Sequence, residues 1–173
     1  MTTRISFCLA AALAATAAGG ARAHVTLEQP NAFADSYYKA VLQVSHGCKS
    51  SPTVAVRVRI PEGVMNVKPQ PKPGWTLAVT RTKLAQPVDA GHGRMVSERV
   101  SEVAWQGGPL ADDHFDEFRM TMKLPDRPGA TLYVPVVQEC VEGVTRWIEV
   151  PEAGKPAAAL KEPAPALKLA PKP

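Results

Sequence analysis

Thr53-Val54-Ala55-Val56-Arg57-Val58-Arg59-Ile60 alternates along its length. Val54, Val56, Val58 and Ile60 point to one side, while Arg57 and Arg59 point to the other. A period of two with β-branched residues on one side is the signature of a half-buried strand. Pro61-Glu62-Gly63 ends it. Upstream, Ser45-His46-Gly47-Cys48-Lys49-Ser50-Ser51-Pro52 reads as a loop, and Tyr37 to Ser45 as a strand with Tyr38, Ala40, Leu42 and Val44 inward. His24-Val25-Thr26-Leu27 is an alternating start, followed by a turn at Glu28–Asn31. Downstream, residues 66–74 carry Pro69, Pro71, Pro73 and Gly74 and read as an extended connection. Trp75 to Arg81 is a short strand, Lys83 to Gly93 a polar loop, Val96 to Trp105 a bent strand and Gln106–Pro109 a turn. Phe118, Met120, Met122 and Leu124 form another clean alternating set. Thr131 to Cys140 follows, where Pro135 points to an edge position or a bulge. Glu142-Gly143 signals a hairpin into a last strand, Val144 to Val150.

Seven to nine short strands with turns between them and no convincing helix define an all-β chain. An immunoglobulin-like β-sandwich is the natural architecture. Trp75, Trp105 and Trp147 read as core plugs. From Pro151 onward the composition turns to Ala, Pro, Lys and Leu, so residues 151–173 read as a disordered tail that could touch the domain through Leu160, Leu167 or Leu169.

The first 23 residues have the parts of a secretory signal peptide: Arg4, an apolar run from Ile5 to Ala18, and the small-x-small site Ala21-Arg22-Ala23. Cleavage after Ala23 would place the protein in the periplasm or outside the cell. The expected mature domain spans 24–150. Without Arg4 and Arg22 the chain has 18 basic and 16 acidic residues, and the basic excess lies in the tail. A formally neutral body excludes a nucleic-acid footprint. Cys8 leaves with the signal, and Cys48 and Cys140 remain in an oxidising compartment. A single disulfide is the simplest reading, with a thiolate metal site or two unpaired thiols as the rivals.

No Gly-x-Ser-x-Gly elbow or phosphate-cradling glycine loop is present. The acidic cluster Asp112-Asp113-His114-Phe115-Asp116-Glu117 reads as a solvated turn. His24 differs, because cleavage would make it the first residue. An α-amine and an imidazole on one residue both lose their protons near neutral pH and can chelate one ion. Two such nitrogens favour tetragonal geometry and Cu(II).

His24-Val25-Thr26, His46-Gly47-Cys48, Ser51-Pro52-Thr53, Ile60-Pro61-Glu62-Gly63-Val64, Lys72-Pro73-Gly74-Trp75, Trp105-Gln106-Gly107-Gly108 and Gln138-Glu139-Cys140-Val141-Glu142-Gly143 ending at Trp147 occur in this order. Together, over residues 24–150, they resemble the YcnI-like copper-binding domain family of exported bacterial proteins. The resemblance implies an immunoglobulin-like domain that binds Cu(II) through a mature N-terminal histidine, a mono-histidine brace. A carboxylate from the loop after the second strand assists, and a tryptophan lies near the metal. By position, His24 matches the brace and Trp147 the tryptophan. The loop Ser45–Pro52 has no acid, and Lys49 stands where one is expected. His46 ranks first as its replacement, Glu139 second and Glu28 third. The implied role is that of a copper carrier or chaperone, not an enzyme, which hands copper to a membrane transporter or a second metallochaperone. The alternatives are a histidine-brace oxidative enzyme and a metal-free interaction domain.

Overall fold

The computed structural model describes residues 24–91, 93–152 and 159–173. The signal segment expected over 1–23 lies outside the described residues. Among the described residues there are twelve strands and no α-helix. They are β1 (Thr26–Leu27), β2 (Asn31–Phe33), β3 (Tyr37–Val44), β4 (Thr53–Arg59), β5 (Met65–Pro69), β6 (Trp75–Asp89), β7 (Met95–Leu110), β8 (Asp116–Lys123), β9 (Thr131–Tyr133), β10 (Val136–Cys140), β11 (Val144–Trp147) and β12 (Ala166–Ala170).

Two sheets face each other. One runs β1-β3-β8-β5 and the other β11-β10-β4-β7-β6. Ala40, Leu42, Val44, Phe118, Met120 and Met122 of the first share one core with Val56, Val58, Val103, Trp105 and Val136 of the second. These are the alternating sets that the sequence shows, so the expected all-β sandwich is the observed one. Trp105 is fully buried, and its indole N–H donates to the Gln70 carbonyl (2.9 Å). Pro135 is where the chain changes sheets. Val134 N–H bonds to Pro165, while the Pro135 carbonyl accepts from Arg59 (2.9 Å), which splits the expected strand 131–140 into β9 and β10.

Several local expectations give way to long-range pairing. Residues 83–89 are not a loop but the far half of β6. It pairs with β7 through Val88↔Val96 and Asp89↔Met95. Both faces of this arm are largely exposed, so no apolar alternation marks it. Residues 66–69 of the expected connection belong to β5, which pairs with β8. Gln106–Pro109 is not a turn but lies within β7, where Trp75 pairs with Gly107. A Cβ at Gly107 would meet the Gly74 carbonyl oxygen at 2.4 Å, so only glycine lets the two backbones approach. In β4, Val54 is skipped by both neighbouring strands. This bulge turns Thr53 rather than Val54 into the core.

The tail departs most from expectation. Its last part is β12, which pairs in parallel with β2 and antiparallel with β9 to close a third sheet. Leu167 and Leu169 are buried against the core, so the domain extends beyond residue 150. Two inward leucines in a proline-rich stretch carry too little periodicity to announce a strand, and the pairing partners lie far away in sequence. Leu167→Ala is therefore expected to cost about 3 kcal/mol, as for other buried leucines. Equilibrium urea unfolding checks this, and a loss within about 0.5 kcal/mol, the surface range, would contradict it.

Beyond β12, Lys172 pairs with Asp35, whose other oxygen accepts from Lys123 (2.5 Å). Hydrogen bonds from these two ammonium groups lower the Asp35 pKa to about 2. Its carboxyl pKa is depressed on folding, so its contribution is complete above the ordinary aspartate value of about 3.9. It is lost as pH falls toward 2. An NMR titration should give a midpoint near 2. Lys172→Ala should raise that midpoint, and an unchanged value would contradict the tether.

Candidate functional site

His24 lies two residues ahead of β1, and Val25 and Leu27 are buried behind it. β1 pairs with β3 through Thr26↔Gln43 and Leu27↔Leu42. Continued by two residues, that register sets His24 level with Ser45, next to His46. His24 and the β3–β4 loop thus share one end of the sandwich.

The loop is tightly built. Cys48 and Ser51 exchange backbone hydrogen bonds (both 3.0 Å) around Lys49 and Ser50, whose φ angles are 50° and 68°. This is a two-residue turn of type I′ character. Cys48 is disulfide-bonded to Cys140 with Cα atoms 5.9 Å apart, which fastens the loop to β10. Gly47 donates its N–H to Asp112 Oδ1 (2.8 Å), and a Cβ there would collide with the Ser51 carbonyl oxygen at 1.8 Å. His46 Nδ1 bonds to the Gly47 carbonyl. A carbonyl can only accept, so Nδ1 carries a proton, and in the neutral ring the lone pair is then on Nε2, the tautomer that a metal ligand needs.

Trp147 on the edge strand β11 completes the group. It is 5% exposed. The His24 ring meets it edge-on, with centroids 5.3 Å apart and an interplanar angle of 64°. The His46 ring meets it at 6.1 Å and 81°. The Trp147 indole N–H donates to Gln138 Oε1 (3.0 Å). Trp147 is thus no simple core plug: it packs on the core on one side and on two imidazoles on the other.

Two candidate carboxylates lie elsewhere. On β10, Gln138 faces inward, so Glu139 faces the opposite side of the sheet, where it accepts from Arg57 Nε (2.6 Å). That bond raises the Arg57 pKa above its ordinary value. Strand alternation thus turns Glu139 to the opposite face from Gln138, into a pair with Arg57, although its neighbour Cys140 is bonded to the loop. Glu28 is exposed and acts electrostatically on Tyr38 and Arg119. Tyr38 is pushed up to about 12, first by burial and then by Glu28. Among the described residues no three His, Cys, Asp or Glu side chains form a ready metal cage. The donors that converge are two imidazoles, to which cleavage after Ala23 would add an α-amine.

Sequence reading missed two residues here. Asp112, placed in a solvated turn, reaches across 65 positions to hold Gly47. Gln138 carried a usable signal: in Val136-Gln138-Cys140 an amide occupies an inward position, and a buried amide needs partners.

A family model described as a domain of unknown function, DUF1775, matches residues 24–169. The chain belongs to the DUF1775 family. The DUF1775 match begins at His24 and takes in most of β12, in agreement with a domain that includes the tail strand. No curated protein matches this DUF1775 chain. It is similar to an uncharacterized protein from Nocardia farcinica whose crystal structure reveals an immunoglobulin-like fold. The TM-score is 0.65 and the identity 25%, over 85% of this chain and 98% of that one. The expected immunoglobulin-like sandwich, closed by one Cys48–Cys140 disulfide, is therefore the fold of this DUF1775 protein.

Proposed function

We propose that this DUF1775 protein is a copper carrier of the YcnI-like type, exported with its signal removed after Ala23, and not an enzyme. The observation that carries the reading is the convergence of His24 and His46 on Trp147. The mature His24 captures Cu(II) with its α-amine and imidazole. His46 supplies a second imidazole through Nε2, and Trp147 covers one side. Three neutral nitrogens suit a tetragonal Cu(II) site. A position left to solvent lets a membrane copper transporter or a second metallochaperone take the ion. His46 thus takes the place of the loop carboxylate that the family resemblance implies, while Glu139 and Glu28 stand outside the site. The chain would act in copper homeostasis in the periplasm or outside the cell.

Titration of the mature protein with Cu(II) tests this through tryptophan fluorescence. A paramagnetic ion at His24 should quench Trp147 at a stoichiometry of one, and Trp147→Phe should remove most of that quenching while Trp75 and Trp105 still emit. Quenching that is equal in the variant would place copper elsewhere.

A further inference from the structure

Thr53 and Gln138 are the fully buried polar side chains among the described residues, and they are bonded to each other. An amide in an apolar core is costly unless its hydrogen-bonding groups are matched. Here each bond reaches a different element. Gln138 Nε2 donates to the His46 carbonyl (2.6 Å) in the loop and to Thr53 Oγ1 (2.8 Å) in the β4 bulge. Gln138 Oε1 accepts from the Trp147 indole on β11 (3.0 Å). A valine or leucine would fill this inward position of β10 without any polar matching, but it could not tie the three elements together.

We propose that Gln138 is the positioning residue of the copper site, an inference that rests on the reading above. It grips the backbone of His46 and the indole of Trp147 at once, and so sets where the second imidazole stands relative to His24. It does not touch the metal. Loss of its bonds frees the indole to turn about its side-chain torsions and lets the His46 backbone shift within the disulfide-closed loop. Outer partners of this kind change metal affinity about 10–100-fold.

The test uses the mature chain beginning at His24, titrated with Cu(II) against a competing chelator and followed by electron paramagnetic resonance. The variants are Gln138→Met, His46→Ala and the two combined. Gln138→Met should weaken Cu(II) binding about tenfold and move the spectrum toward that of His46→Ala. It should add nothing in the His46→Ala background, the sign that both act through one element. Gln138→Glu keeps the acceptor for Trp147 and can donate at most one hydrogen bond. It should fall between wild type and Gln138→Met, and it serves as the test if Gln138→Met does not fold. An unchanged affinity and spectrum in a folded Gln138 variant, or an equal loss with and without His46, would overturn the proposal. If the wild type binds no Cu(II), or binding ignores His24→Ala, the copper reading and this inference fall together. Binding that needs His24 but ignores Gln138 sinks the inference alone.

Discussion

His24→Ala in the mature chain should weaken Cu(II) binding at least about a hundredfold, equivalent to about 2.7 kcal/mol. The substitution leaves the α-amine in place and removes the imidazole that closes the chelate. His46 then stands as the one imidazole beside Trp147. Fold stability should barely change, because His24 is half-buried ahead of β1 while Val25 and Leu27 carry the packing. A shift within about 0.5 kcal/mol is expected, as for surface positions. Loss of affinity without loss of stability separates a ligand from a structural residue. Retained affinity in a folded His24→Ala chain would remove the anchor of the site.

The second large effect concerns the loop that carries His46. Cys48 and Cys140 are 92 positions apart, so their bond closes most of the domain into one loop. On the chain-entropy account, a closure of that length stabilises by about 4–5 kcal/mol. Replacing both cysteines by alanine should therefore lower the thermal midpoint by about 10–15 °C for a domain of this size. The same substitution releases the Ser45–Pro52 loop from β10, although Gly47–Asp112 and Gln138–His46 still hold it. Copper affinity should fall toward that of His46→Ala and no further, since His24 lies outside that loop, ahead of β1. A midpoint shifted by less than about 2 °C would contradict the stabilising role.

The sandwich is readable in the chain wherever one face is dry. Tyr38 to Val44, Val56 to Ile60 and Phe118 to Leu124 alternate because each second side chain enters the core. Where both faces are wet the signal vanishes, as in residues 83–89 of β6, which only the backbone ladder with β7 makes a strand. β12 is hidden for another reason. Its partners β2 and β9 are distant in sequence, and two leucines in a proline-rich stretch do not reveal that pairing. At the site, His24 beside the small-x-small stretch Ala21-Arg22-Ala23 and His46 in the β3–β4 loop were both legible. Their shared contact with Trp147 was implied by the family resemblance alone and not by the local pattern, since it depends on two edge strands meeting at one end of the sandwich. The pairing of Glu139 with Arg57 was not legible, because sequence adjacency to Cys140 says nothing about which face of β10 it occupies. Asp112 was hidden by the long-range fold that carries it to Gly47.

The central claim is that the amine and imidazole of a first-residue His24 hold Cu(II). Electron paramagnetic resonance of the Cu(II)-loaded mature chain tests it against a chain that retains Gly20-Ala21-Arg22-Ala23 ahead of His24. The mature chain should give a tetragonal spectrum with coupling to several nitrogens. The extended chain keeps both imidazoles but has no amine at His24, so it should lose that spectrum and bind more weakly. Identical spectra and equal affinities in the two chains would contradict the account.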